Sequence, residues 1–169
     1  MEVPQEYLGG AAECLLHSIF FHRLLVSPSY VEDHMIQTLS YPYVRVKRIP
    51  RSSVRGENMN NAAIAIDKTH DEIRKAITSV PKRIANRTVE FKVSFLKDKG
   101  SWIFSSAEEW EIWYLQFIVV PFSTQSMDDV VETLSNKQRE IINFSQSNSE
   151  AQHVQFKKGY SFKIEHNIM

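Results

Sequence analysis

A chain of 169 residues, of which 43% are hydrophobic, has the size of one domain and enough apolar side chains to build a core without a disulfide or a metal. Lysine plus arginine equals aspartate plus glutamate at 20 each, so the chain lacks the net positive field that attracts nucleic acid or anionic lipid. No apolar run approaches the roughly 18 residues of a membrane span, and Met1 to Gly10 do not resemble a secretion signal, so we expect a cytoplasmic protein.

The first predicted element is a helix that begins near Ala11. Apolar residues recur at helical spacing up to Leu24, and other apolar side chains around the helix predict burial on more than one side. Cys14 lies within this pattern, where a buried and unreactive thiol is the expected state. Pro28 then ends the helix.

The next part of the chain has weaker signals. From Ser27 to Asn61 the sequence predicts irregular structure with one short strand at residues 43–46. Residues 62–66 form a short apolar run, which we predict to be a second strand. Thr69 and Glu72 have the spacing of a capping box, which predicts that a second helix begins there.

The second half of the sequence predicts a long hairpin, a third helix and a last strand. Val89 to Phe95 alternate between apolar and polar residues, as in a half-buried strand. Residues 110–120 are apolar on both faces, which predicts a central strand that is covered on both sides. Ser126 and the acidic residues after it predict a helix start, and residues 160–164 alternate as a strand. This order predicts an α+β fold with three helices packed on a largely antiparallel sheet.

The sequence contains no recognisable catalytic, nucleotide-binding or metal-binding motif. His17 and His22 are five residues apart, a spacing that does not place two imidazoles on one helical face, so we expect no metal site there. His70 with Asp71 and Glu72 fits a polar helix start better than an acid-base group. We therefore expect no catalytic residue, no metal and no cofactor.

The loop from Lys97 to Ser106 differs from an ordinary loop because it places Trp102 and Phe104 between two strands. The pattern alone leaves two interpretations open. The rings fold onto the sheet of their own domain, or they are exposed and bind a partner, since tryptophan is enriched at binding hot spots. A membrane-surface role is the alternative function, in which the same rings insert into lipid beside Lys97, Lys99 and the basic residues 47–55.

The run from Trp102-Ile103-Phe104 to Trp110-Glu111-Ile112-Trp113 resembles the autophagy-related protein 101 family, in which a Trp-x-Phe turn precedes a Trp-Glu-x-Trp strand. Further similarity lies in the first helix, the second helix and the last strand, at Leu16-His17, His22-Arg23, residues 63–66, residues 71–76 and residues 160–166. Ile103 stands where animal members have proline, and the chain stops soon after Ile164 without their additional C-terminal segment. These departures point to a fungal member.

The resemblance implies a single HORMA domain over residues 1–169, with a short C-terminal segment like the safety belt of that fold. It also implies a non-enzymatic subunit of the autophagy-initiation kinase complex, which dimerises with the HORMA domain of autophagy-related protein 13 and stabilises it. Downstream autophagy factors would then bind an exposed finger formed by Trp102, Ile103 and Phe104. Such a protein is cytoplasmic and is recruited to the preautophagosomal structure, with no nucleic-acid partner and no intrinsic membrane contact.

If the resemblance holds, we expect a HORMA–HORMA dimer in which the third helix contributes to the interface. Val131, Leu134 and Gln138 are the residues that we predict on that face. A stripe at this spacing is more often part of the core of its own domain than of an interface.

Overall fold

The structure is a computed structural model, and it describes residues 1–24, 31–46, 57–98, 107–121, 125–147 and 160–169. Within these residues three α-helices and six strands follow one another in the order β1, α1, β2, β3, α2, β4, β5, α3, β6. The helices are α1 Leu8–Leu24, α2 Glu57–Thr78 and α3 Met127–Ser147. The strands are β1 Glu2–Pro4, β2 Val31–Ile36, β3 Tyr41–Val46, β4 Arg87–Asp98, β5 Ala107–Val120 and β6 Tyr160–Ile168.

Four strands form the main sheet in the order β1-β5-β4-β6, and β2 and β3 form a separate hairpin. In the main sheet β4 pairs antiparallel with both β5 and β6, and only the short β1 is parallel to its neighbour. The predicted α+β class with helices packed on a mainly antiparallel sheet is therefore confirmed, and the architecture is consistent with a HORMA-like fold.

Helix α1 lies at the centre of the packing and is buried on several sides, as its continuous apolar surface predicts. Its side chains meet the inner face of the sheet, where Phe20 packs edge-on against Phe95 and Phe162. Cys14 is fully buried in this core, as predicted, and burial raises the pKa of its thiol to about 12.

The prediction of a strand at residues 62–66 is wrong, because α2 runs without interruption from Glu57 to Thr78. Thr69 and Glu72, predicted as a capping box, therefore lie in the middle of the helix, and Thr69 is fully buried. A short apolar run does not distinguish a strand from a buried helical turn. The spacing from Ile66 to Ile73, two helical turns, is the signal that indicates the helix.

Two strands were not predicted. β1 is only three residues long, and β2 carries acidic and histidine side chains that give it no strand-like alternation. β2 forms because it pairs with the predicted strand, β3, from Val31 opposite Val46 to Ile36 opposite Tyr41. Pairing with a neighbouring strand here overrides a weak local preference.

The prediction that β5 is covered on both faces is wrong for the part of the molecule that the structure describes. Its inward side chains include Phe117 and Val119, which are fully buried. On the opposite face Ile112, Tyr114 and Ile118 remain 39%, 57% and 47% exposed. The helices thus cover one face of the sheet, and apolar side chains alone do not require a second layer.

Helix α3 begins where it was predicted, after Ser126, and Ser126 and Asp129 form a capping box there. The Ser126 hydroxyl accepts a hydrogen bond from the Asp129 N–H at 3.2 Å and donates one to the Asp129 carboxylate at 2.6 Å. None of the helices in the described ranges combines the length and the apolar character that crossing a membrane requires.

Candidate interaction surfaces

The predicted finger, Trp102-Ile103-Phe104, lies outside the described residues. The structure does describe the two strands that lead to and from it, which together form the longer of the two hairpins in the described residues. Their ends are paired, with Asp98 opposite Ala107. The register of the β4–β5 pairing shifts between Phe95 and Leu96, where Trp110 is an extra residue in β5, so a β-bulge lies close to this end of the hairpin. The finger residues are therefore carried by a connection between two paired strand ends.

A buried ion pair holds the start of β5 against the helices. Arg23, the penultimate residue of α1, is fully buried, and its Nε donates to a Glu111 carboxylate oxygen at 2.5 Å. The Trp113 indole N–H donates to the same carboxylate oxygen. The guanidinium carbon lies 5.4 Å from the Trp113 ring centroid and 5.5 Å from that of Phe144. One cation thus joins α1, β5 and α3.

This cluster also anchors the last turns of α3. Arg23 donates from a terminal nitrogen to the Ser145 carbonyl oxygen at 3.4 Å, and the Trp113 and Phe144 rings meet edge to face at 4.9 Å between centroids. Sequence reasoning missed the pair. The available signal was Glu111, a carboxylate two residues before Trp113 on the inward-facing side of an apolar strand, which requires a buried cation.

The three residues predicted to face a HORMA partner differ in their accessibility. Leu134 is fully buried in the core of this domain. Val131 is partly buried against that core. Gln138 donates to the Ser18 hydroxyl at 2.9 Å and accepts from the Tyr41 hydroxyl, so it ties α3 to α1 and β3. A partner on this flank of α3 would contact the outer edges of Val131 and Gln138, and their role in pairing stays a prediction.

His17, one of the histidines considered as a metal ligand, is part of the packed core. His17 is buried, and its Nδ1 accepts the Val46 N–H at 3.3 Å. Burial, with the nearby His70 and Arg45, lowers the pKa of His17 to about 3. Within the described ranges, no group of three or more His, Cys, Asp or Glu side chains is placed to hold a metal ion. The basic residues 47–55 lie outside these ranges.

A comparison with protein-family models matches residues 1–154 to the family described as autophagy-related protein 101. A search of curated proteins finds no match for this chain. The matched region begins at the first residue and takes in α1, the β4–β5 hairpin and α3. Because the match extends over most of the sequence, the chain belongs to the autophagy-related protein 101 family.

Proposed function

We propose that this protein is a non-enzymatic adaptor of the autophagy-initiation kinase complex, which dimerises with the HORMA domain of autophagy-related protein 13 and stabilises it. The observation that carries the proposal is the family match over residues 1–154, together with an α+β architecture of the kind expected for a HORMA domain. In this proposal residues 1–169 are one HORMA domain, which is cytoplasmic and is recruited to the preautophagosomal structure. A partner that binds only the folded state stabilises it by mass action.

In the second part of the proposal, Trp102, Ile103 and Phe104 bind downstream autophagy factors. Binding residues are commonly displayed on loops that a rigid scaffold positions, and the paired ends of β4 and β5 provide such a scaffold. The Arg23–Glu111 ion pair adds rigidity four residues into β5. Tryptophan is among the residues most enriched at the hot spots that carry the binding energy of interfaces.

The flank of α3 that carries Val131 and Gln138 is the proposed contact for the HORMA partner. At 100° per residue these two positions lie within about 20° of each other on the helix. Leu134 supports this flank from inside, since it is fully buried and fixes the helix against the core. The proposed partner face therefore consists of side chains at the edge of the apolar stripe by which α3 packs into the core.

The finger is tested with the double substitution Trp102→Ala and Phe104→Ala in the full chain. The matched control is Ser105→Ala with Ser106→Ala, two changes in the same connection that remove no aromatic ring. Each tagged chain is purified from cells with its bound proteins, which are quantified by mass spectrometry. We expect the aromatic variant to retain autophagy-related protein 13 but to lose downstream factors at least tenfold relative to the control.

Two other results would contradict this role for the finger. If the aromatic variant loses its cooperative thermal unfolding, the rings pack within their own domain. If the variant keeps its protein partners but no longer floats with anionic liposomes that capture the unmodified chain, the rings bind a membrane surface instead. The control variant must behave as the unmodified chain in both measurements.

A further inference from the structure

A cavity of about 860 Å³ lies between β5 and α3, on the opposite flank of α3 from Val131 and Gln138. Its wall on the strand side is formed by the consecutive residues 112–117, and its wall on the helix side includes Ile141 and Phe144. Neighbouring residues of a strand point to opposite faces of the sheet. A cavity that touches all of them in sequence therefore runs along the edge of β5, and we call it the β5 edge groove.

The hydrogen bonds of β1 establish which backbone groups of β5 point into this groove. The Ile118 N–H donates to the Met1 carbonyl oxygen at 2.8 Å, and the Gln5 N–H donates to the Val120 carbonyl oxygen at 3.2 Å. Even-numbered residues of β5 thus direct their backbone groups toward β1, whereas Val119 accepts from Asn86, on the β4 side, at 2.7 Å. The alternation continues along the strand, because the bulge in the pairing with β4 lies beyond Ile112.

Two residues of β5, Ile112 and Tyr114, have backbone groups at this edge that can pair with another strand. β1 pairs with β5 only from Ile118 to Val120, and the Met1 amino group donates to the Gln116 carbonyl oxygen at 2.6 Å. The backbone N–H and C=O groups of Ile112 and Tyr114 point to the same edge, and no strand in the described part of the chain pairs with them there. Unpaired strand edges are templates for pairing with another chain.

The inner side of this edge is apolar, and its outer rim is polar, with Glu90 and Gln116 on the strand side and the Lys137–Glu140 ion pair on the helix side. Leu15, Leu115 and Ile141 form the inner wall of the groove. Ile112, Tyr114 and Phe144 are between 39% and 57% exposed. A strand added to β5 would place alternate side chains against the inner wall and the others beside Ile112 and Tyr114. The site therefore offers backbone hydrogen bonds for affinity and apolar contacts for selectivity.

We propose that the β5 edge groove binds an extended segment of a partner protein, which adds a strand to the main sheet at Ile112 and Tyr114. Ile112 to Leu115, which lie beyond the Met1 contact, span about 10 Å at a rise of about 3.3 Å per residue, which is room for about four residues of extended chain. The occupant carries two apolar side chains that point inward, toward Leu115 and Ile141. The edge already accepts a strand, β1, and the occupant continues that row of backbone pairing beyond it. This site is separate from the finger and from the flank of α3 that carries Val131.

The test uses the full chain and linear twelve-residue peptides selected against it from a random phage-displayed library. Tyr114→Pro removes the backbone N–H that points into the groove. The hydrogen bonds to β4 remain, because odd-numbered residues of β5 make them. Proline is tolerated at edge positions of this kind. Tyr114→Thr is the matched control, because it removes the ring and keeps the N–H. We expect the selected peptides to bind Tyr114→Pro at least tenfold more weakly than Tyr114→Thr.

Hydrogen exchange in the unmodified chain gives a second measurement that does not depend on how the proline variant folds. We expect a bound peptide to slow exchange at the Ile112 and Tyr114 amides, and the same peptide with methylated backbone nitrogens to leave exchange unchanged. The proposal is overturned if no selected peptide binds with a micromolar dissociation constant, if the peptides protect other amides only, or if both Tyr114 variants bind equally well.

Discussion

The guanidinium of Arg23 and the carboxylate of Glu111 meet at 2.5 Å, with the arginine side chain fully buried and the glutamate side chain 12% exposed. These residues come from the end of α1 and the start of β5, so the ion pair holds α1 against the sheet. The contact lies near the end of the β4–β5 hairpin that leads to the finger. Two aromatic rings, Trp113 and Phe144, flank the cation. A buried charge without its counter-charge is costly, which makes this pair a sensitive point of the fold.

Replacing Glu111 with Gln leaves Arg23 charged and buried without its carboxylate. We expect the free energy of unfolding to fall by about 3 kcal/mol, within the range for breaking one side of a buried pair. The double variant Arg23→Met with Glu111→Gln removes both charges and should lose less than the sum of the two single changes. Urea denaturation of the four proteins measures this coupling. Strictly additive losses would show that the two side chains do not depend on each other.

The two glycines at the start of α1 should respond in opposite directions to alanine. A Cβ at Gly10 would lie 2.4 Å from Cγ2 of Ile36, whereas one at Gly9 would meet its nearest neighbour, Ile77, at 3.8 Å. We expect Gly9→Ala to stabilise the protein by up to about 1 kcal/mol through helix propensity. Gly10→Ala should destabilise it by about 1–3 kcal/mol, the usual cost of an overpacked core. Denaturation midpoints of both variants test this prediction. A change in stability of the same sign in both variants would contradict the close approach of β2 to α1.

His17 should make the protein less stable in mild acid. Its pKa in the folded state is about 3, against an ordinary value of 6.5, so below pH 6.5 the unfolded chain binds a proton that the folded chain does not. Stability from this group is complete above pH 6.5 and falls as the pH drops toward 3. Between pH 7 and pH 5 the expected loss is about 2 kcal/mol.

The matched variant for this prediction is His17→Asn, which keeps an acceptor for the Val46 N–H but cannot titrate. Denaturation curves at pH 7 and pH 5 should show a loss in the unmodified protein that is about 2 kcal/mol larger than in the variant. Identical losses in the two proteins would mean that His17 is not the residue responsible.

Strong periodic signals in the sequence predicted much of this fold, and weak or ambiguous ones did not. The alternation from Val89 to Phe95 and the serine-led start of α3 are dictated by local chemistry, and both appear where they were predicted. The strand predicted at residues 62–66 failed because a short apolar run fits a helix equally well. β2 depends on pairing with β3, which local composition does not encode.

The candidate surfaces were predictable to different degrees. The aromatic finger is visible in the sequence as an unusual loop composition, although its state as core or contact is not. The Arg23–Glu111 pair joins residues 88 positions apart, and the β5 edge groove depends on where β1 stops. Long-range contacts of this kind follow from the tertiary arrangement and have no periodic signature in the chain.

The α3 flank can be tested without disturbing the core. Leu134→Asp would bury a charge at a fully buried position and unfold the domain, so it does not report on pairing. Val131→Asp changes a partly buried side chain, and Asn136→Asp makes the same change of charge at an exposed position of α3. We expect at least tenfold weaker binding to the HORMA domain of autophagy-related protein 13 for Val131→Asp only. Equal affinity of the two folded variants would exclude this flank.

Binding to the HORMA domain of autophagy-related protein 13 from the same organism is the most direct test of the proposed function. The two purified proteins are mixed at micromolar concentration, and the mass of the complex is measured by light scattering after size-exclusion chromatography. We expect a one-to-one heterodimer and a higher thermal unfolding midpoint for the partner domain in the complex. Separate elution of the two proteins at these concentrations, with the unfolding midpoint of the partner unchanged, would contradict the proposal.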